Sequence, residues 1–481
     1  MLHIQHLTRP RIRALLVLVG ACAALAAATA APATASHGQV AFMEAPRQLL
    51  NTSTRHKTFL QLQLLGVKAI RLELHWHDVA PSPNSSRRPR FEAEAPGPYA
   101  WGQYDAVVAE VQRFKWQLLL TVTAPVPKWA TAAHKDLITR PDDRDFEEFM
   151  VAAARHYGTA VNYWAIWNEP NIPGWLSPQF NSNGTPASPR IYRGLWQAGY
   201  AGLKKAGLTS PKVLFGETAP FGVDSVNVRR EGSRALKSEV APLLFLREAL
   251  CLNSHYRKAG TCSMLPISGY AHHPYTYPAI QGPLYRPPNT DQVTIGSLVR
   301  LSNALSLAAR AHAIPAHVPM YLNEFGVESK PNSLGVSLSQ QAEYQALSEK
   351  IAWENPGVLA FSQYLLEDEG AHNGLNGYRT GLETTNGGRK PLYYAYPLPL
   401  VVSRSGSGYS LWGYVRPAEG ATKVKVLVQT PGSRNFRTLK VVKTESRGYW
   451  TLHSSTPGLH WRVSWRSPKG VIYNGPAIGA S

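Results

Sequence analysis

Between about residues 40 and 363, short apolar or β-branched runs alternate with longer stretches in which apolar residues recur every three to four positions. The short runs, at 39–43, 69–74, 117–123, 163–166, 212–215, 267–271, 319–323 and 358–362, predict eight strands. The longer stretches, near 53–65, 102–115, 143–157, 189–206, 239–252, 294–311 and 338–353, predict helices. Strict alternation of the two implies a parallel sheet with helices outside, and eight repeats imply a closed α/β barrel of the (β/α)8 TIM type. The punctuation agrees. Ser188-Pro189 and Thr139-Arg140-Pro141-Asp142 read as helix starts, with a capping oxygen and an early proline. Gly66, Gly158 and Gly207 stand where a left-handed residue would end a helix. Stretches 81–100, 171–190, 216–238 and 274–292, rich in Pro, Gly, Asn and Ser, each follow a strand and are expected to line a cleft at the barrel's C-terminal face.

After Pro391 the period becomes two. Runs at 409–415, 423–429, 437–443, 449–453 and 461–465 alternate apolar and polar residues between turns. This predicts a small antiparallel β-sandwich over 401–481, behind a barrel over 36–400. At the other end, Arg9, Arg11 and Arg13 precede an apolar run from Ala14 to about Ala30, and Ala33-Thr34-Ala35 is a small-x-small cleavage pattern. Residues 1–35 are therefore expected to be a secretory signal peptide. The run is Ala-rich and short of the ~20 strongly apolar residues of a membrane span, and no later segment is long enough. The mature protein is expected to be extracellular.

Composition narrows this further. A chain of 481 residues with 17% charged and 44% hydrophobic residues is neither disordered, coiled coil nor collagen-like. Its 50 Lys+Arg against 31 Asp+Glu give +19, and loss of Arg9, Arg11 and Arg13 with the signal leaves +16. The charge is spread along the chain. The one dense run, Ser85-Ser86-Arg87-Arg88-Pro89-Arg90, reads as a solvated loop; an anionic polysaccharide partner is compatible with it, and nucleic acid is not expected of an exported chain. Cys251 and Cys262 remain after cleavage and are expected to pair as a local disulfide.

Two glutamates close apolar strands. Glu169 lies in Tyr163-Trp-Ala-Ile-Trp-Asn-Glu-Pro-Asn171 at the end of the fourth strand, and Glu324 in Met320-Tyr-Leu-Asn-Glu-Phe-Gly326 at the end of the seventh. Such residues point into the mouth of a barrel's C-terminal face. Two carboxylates across that mouth suit glycoside hydrolysis, in which one protonates the leaving oxygen and the other attacks the anomeric carbon. The combination over residues 40–390 resembles the large clan of retaining (β/α)8 glycoside hydrolases that includes cellulases, β-mannanases and family 39 β-xylosidases.

The resemblance implies Glu169 as acid/base, Asn168 as partner of the sugar 2-hydroxyl and Glu324 as nucleophile. Arg71, in Ala-Ile-Arg-Leu-Glu-Leu-His-Trp76, resembles the clan's strand-two Arg that keeps the nucleophile ionised. His273 and Tyr275 resemble its strand-six His-x-Tyr, which orients the nucleophile. Trp76, Trp129, Trp175 and Tyr364 fall near strand ends as candidate sugar platforms, with Trp129 and Trp175 preferred because they lie in loops. Gln363 and Tyr364 depart from the clan's frequent strand-eight Trp. No Asp or Glu stands at a ligand spacing from His75 and His77, so neither metal nor other cofactor is expected. Elbow, phosphate-loop and HExxH motifs are absent. The expected function is a monomeric secreted retaining glycosidase acting on a β-linked poly- or oligosaccharide. The alternative is a barrel that binds cell-wall or exopolysaccharide without cleaving it; formation of new reducing ends separates the two.

Overall fold

The computed structural model describes residues 38–370 and 377–480, so the expected signal segment lies outside the described residues. Strands β1 (Val40–Glu44), β2 (Ala69–His75), β3 (Gln117–Thr123), β4 (Tyr163–Ile166), β5 (Val213–Thr218), β6 (Gly269–His272), β7 (Met320–Leu322) and β8 (Val358–Tyr364) form a closed barrel in sequence order. Every neighbouring pair is parallel, and β1 closes the ring on β8. Around it lie α1 (Arg55–Leu64), α2 (Gly102–Phe114), α3 (Asp143–Tyr157), α4 (Ser188–Lys205), α5 (Pro242–Ala249), α6 (Leu298–Arg310), α7 (Leu338–Glu354) and the short α8 (Pro391–Ala395). Among the described residues no helix is long and apolar enough to cross a membrane.

Alternation along each strand sorts the side chains. One set fills the barrel: Phe42, Ala69, Leu119, Tyr163, Ala165, Leu214, Ala271, Tyr321 and Ala360 form a separate buried cluster, with Ala beside Tyr or Phe so that large rings fit. The other set faces the helices and joins the main core. One step toward the C-terminal ends, the inward positions become polar, beginning with Glu44, Arg71 and Thr121. That change of character inside the ring creates the site.

The helix punctuation holds in part. The Asp142 carboxylate accepts from the Asp145 N–H and caps α3. Ser188 does not cap α4: its hydroxyl instead donates to Gln179 Oε1. Gly66, Gly158 and Gly207 all have positive φ, at 86°, 46° and 99°. The pattern at 239–252 shortens to α5, which starts at Pro242.

The C-terminal region is two antiparallel sheets, one ordered β13-β10-β9 and one ordered β12-β11-β14-β15. They comprise β9 (Leu400–Ser405), β10 (Gly408–Tyr414), β11 (Lys423–Gln429), β12 (Arg437–Lys443), β13 (Tyr449–Ser454), β14 (His460–Arg466) and β15 (Ile472–Asn474). The sheets enclose a core that includes Leu400, Val402, Leu411, Val424, Val426, Val428, Trp461 and Val463. β9 and β15 carry no clear alternation: β9 opens Leu-Val-Val, and β15 has three residues. The three-stranded sheet docks on the barrel, where Val401, Trp412 and Tyr449 pack with Ala346 of α7. Arg416 donates to both carboxylate oxygens of Glu349 on α7, at 2.8 and 2.7 Å, with both side chains buried.

Candidate active site

Arg71 projects from β2 into the barrel beneath its mouth, fully buried. Its Nη1 donates to Glu44 Oε2 at 2.7 Å and Glu324 Oε2 at 2.9 Å. Its Nη2 donates to Asn168 Oδ1 and Glu217 Oε2, both at 2.7 Å, and to Glu73 Oε1 at 3.3 Å. One guanidinium therefore joins β1, β2, β5 and the segments following β4 and β7. Its planar fork suits this, since the donors diverge in fixed directions.

The turn after β4 presents Glu169. Trp167 and Glu169 have φ of 71° and 38°, a region that bulky residues seldom occupy and that clusters at functional sites. The turn is held from several sides: Trp167 N–H donates to Val122 O at 2.9 Å, Trp167 Nε1 to Trp175 O at 3.0 Å, and Glu169 N–H to Glu217 O at 3.0 Å. In β5 the register against β6 shifts between Gly216 and Thr218, leaving Glu217 as the extra residue with φ of 46°. That irregularity turns Glu217 inward, where it also accepts from Thr121 Oγ1 at 2.9 Å and from Asn323.

His273 links the two catalytic candidates. Its Nδ1 lies 3.0 Å from Glu169 Oε1 and 3.7 Å from Glu324 Oε2, and ligating atoms of Glu169, His273 and Glu324 all fall within 4.8 Å of one another. Burial lowers the His273 pKa and favours the neutral ring, whose Nδ1 shares a hydrogen bond with Glu169 Oε1. The Tyr275 hydroxyl donates to Glu324 Oε1 at 2.9 Å. This trio is the one metal-compatible group among the described residues. The Arg71 guanidinium, 2.9 Å from Glu324, opposes a second cation there.

The environments of the two glutamates differ. Burial, reinforced by Glu73 and Glu217, raises Glu169 to about 8, with Arg71 acting against the rise. Burial also raises Glu324, but the charge of Arg71 opposes it, and donors from Arg71 and Tyr275 reach its two oxygens. Hydrogen bonds to an ionised carboxylate favour that form. Glu169 is thus the more readily protonated of the two, and Glu324 the one whose carboxylate form is better supported by donors.

The structure brings Asn168, Glu169, Arg71, His273, Tyr275 and Glu324 into one network. Tyr364 on β8 is partly buried beside it and donates to Glu369 Oε1 at 3.4 Å. Gln363 is not a cleft residue: its amide donates to the carbonyls of Tyr364 and Thr380. Trp175 is partly buried, with its ring 6.3 Å from that of His75.

Trp76 and Trp129 are not platforms. Trp76 is fully buried and stacks on Phe149 at 5.1 Å. Trp129, 2% exposed, sits edge-on to Trp76 and donates to Pro81 O, because its loop turns back as a 3-10 helix. Cys251 and Cys262 form a disulfide.

Sequence reasoning missed Glu44, Glu73, Glu217 and Asn323, and also the loop after β8, which carries Glu369 and the exposed Tyr378. The alternation of Arg71 with Glu73 on one strand face was the available signal. His75, 3.2 Å from Glu73 and 3.4 Å from Asp78, has its pKa raised to about 9, these hydrogen bonds outweighing burial. His77 instead reaches Asn84.

No protein-family model matches the sequence, and no curated protein is similar to it in sequence. Solved structures do share its architecture. A family 39 glycoside hydrolase from the gut symbiont Bacteroides cellulosilyticus WH2 superposes with a TM-score of 0.54 at 16% identity, over 88% of this chain and 80% of its own. A glucosidase from Croceicoccus marinus superposes with a TM-score of 0.52 at 11% identity, over 92% of this chain and 96% of its own. At these identities the likeness is one of fold: the protein has the (β/α)8 barrel and C-terminal β-sandwich architecture found in glycoside hydrolases.

Proposed function

We propose that the protein is an exported, retaining glycoside hydrolase that cleaves a β-linked poly- or oligosaccharide through a covalent glycosyl-enzyme. The observation that carries this reading is the Glu169/Glu324 pair, bridged by His273 across the barrel mouth with carboxylate oxygens within 4.8 Å. Retaining enzymes hold their carboxyl groups ~5–5.5 Å apart, whereas inverting enzymes leave ~6.5–9.5 Å for a water. The glycosidases that share the fold support the same class. The basic and apolar residues of 9–35, together with the disulfide, support export.

In the first step a Glu324 oxygen attacks the anomeric carbon. The bond to the leaving oxygen breaks, and the Glu169 proton moves to that oxygen. Arg71 and Tyr275 orient Glu324 and keep it ionised until its charge is spent in the new ester bond. Glu169, now a carboxylate, takes a proton from water. That water attacks the same carbon from the face the leaving group vacated and releases Glu324. Two inversions give net retention. Asn168, fixed by its Arg71 bond, is placed for the sugar 2-hydroxyl, and Trp175 and Tyr364 remain as ring platforms.

The test is the anomer of the first product from a β-glycoside, followed by NMR, with Glu324→Gln as control. Retention with a loss of several orders of magnitude in kcat for Glu324→Gln is expected. An α-anomer as first product overturns the double displacement, and full activity in Glu324→Gln overturns the residue assignment.

A further inference from the structure

The charge that reads as spread along the chain is in fact uneven, with more than half of the net excess in the C-terminal sandwich. Residues 401–481 hold twelve Lys+Arg against two acids, Glu419 and Glu445, so ten of the formal +19 lie in these 81 residues. The sheet register gathers several of these cations on one face. Lys423 lies directly opposite Lys443, Lys425 opposite Ser464, and Leu427 opposite Arg462. Val424, Val426 and Val428, which alternate with the lysines, are buried in the sandwich core, so the lysines point outward. Arg466, also exposed, stands two residues beyond Ser464 on the same face.

Three features set this face apart from an ordinary solvated one. Among the described residues, Lys423, Lys425, Lys443, Arg462 and Arg466 form no salt bridge. Like charges directly opposite one another weaken a sheet, so folding opposes the Lys423/Lys443 pair. The Arg462 guanidinium lies 4.7 Å over the Phe436 ring, while its Nε is buried without a hydrogen-bond partner. The sandwich docks on the barrel mainly through its other sheet, and Tyr473 of β15, which also reaches the barrel, lies in register with the inward Trp465, so the outer face is left open.

We propose that the outer face of β12-β11-β14-β15 binds an anionic polysaccharide through the carboxylates of its sugar units. Cations on neighbouring strands are ~4.8 Å apart and those two positions along a strand ~7 Å apart, so a chain with regularly spaced carboxylates engages several at once. Ser464, Asn474 and Gln429 lie among them and offer partners to sugar hydroxyls, which a lipid headgroup layer or a phosphodiester backbone does not require. The anionic character of the ligand follows from the face itself. The choice of a glycan over other polyanions rests on the glycosidase reading.

The test is binding of the full chain to polygalacturonate, with hydroxyethylcellulose as the neutral control. Expected is salt-sensitive binding to polygalacturonate alone, weakened at least tenfold in Lys423→Gln/Lys425→Gln/Lys443→Gln and in the single variant Lys425→Glu. Binding unchanged in Glu324→Gln and in Arg87→Gln/Arg90→Gln, which removes two cations elsewhere, supports the assignment. So does a ladder variant that loses binding while the protein hydrolyses no glycan, an outcome in which only the glycosidase reading fails. The proposal is overturned if Arg87→Gln/Arg90→Gln loses as much affinity as the triple variant, or if Glu324→Gln abolishes binding. It is equally overturned if phosphatidylglycerol vesicles or duplex DNA bind as tightly as polygalacturonate.

Discussion

A carboxyl group held at about 8 stays protonated through neutral pH, so Glu169 can act as the acid without help from bulk protons. The sign follows directly. Activity that needs protonated Glu169 is lost as pH rises through about 8, and activity that needs ionised Glu324 is lost on the acid side. The alkaline limb of kcat/KM should therefore fall near pH 8 and disappear from the residual activity of Glu169→Gln. The same shift has a stability consequence. The folded pKa is raised above the unfolded value of ~4.3, so the protonated group favours folding at low pH, and this contribution is lost as pH rises through about 8. Glu169→Gln should gain thermal stability over the wild type at pH 9 compared with pH 6, read as the difference in melting temperature. Glu169, Glu324 and Arg71 were legible because each interrupts or closes an apolar strand. Glu217 was not, because an irregularity in β5 decides which way it points, and pairing register is a tertiary property. Trp129 misled because a loop position in sequence says nothing of whether the loop folds back onto the core.

Elements whose ends carry their own chemistry read best. Asp142 was identified as a helix start and caps α3, so Asp142→Ala should cost about 1 kcal/mol, measurable as a shift in denaturant midpoint at unchanged slope. Gly66 combines two demands. Its φ is 86°, and a Cβ there would lie 2.6 Å from Pro417 N. The first demand was visible as a glycine after a helical run. The second was not, because Pro417 is some 350 residues away along the chain and meets Gly66 only when the sandwich docks. Gly66→Ala should therefore destabilise by more than the ~1 kcal/mol of a local conformational penalty. All eight barrel strands were found by periodicity, since a strand buried on both faces reads as a short apolar run. β9 and β15 were missed because one lacks alternation and the other is too short to display a period.

At the scale of the whole molecule, the sandwich and barrel share a buried ion pair. Arg416→Ala leaves the Glu349 carboxylate buried without its partner and should cost ~3–5 kcal/mol in global unfolding. The sandwich also reaches α1, whose last residue, Leu64, accepts through its carbonyl from the Tyr473 hydroxyl at 2.9 Å. α1 follows β1, and α7 precedes β8. The sandwich thus grips the two helices that flank the one place where the ring is closed between distant parts of the chain, the β1–β8 pairing from Val40↔Ala360 to Glu44↔Tyr364. Hydrogen exchange should show it: removing 401–481 is expected to speed exchange in α1, α7 and β1 while β3 to β5 stay protected. Synthesis gives this grip a further meaning. β1 is the first barrel strand to leave the ribosome and must wait for β8, so the nascent barrel is an open ribbon with two unpaired edges. The sandwich that grips α1 and α7 is made only after β8, so the ring is braced at its seam once every barrel strand is in place.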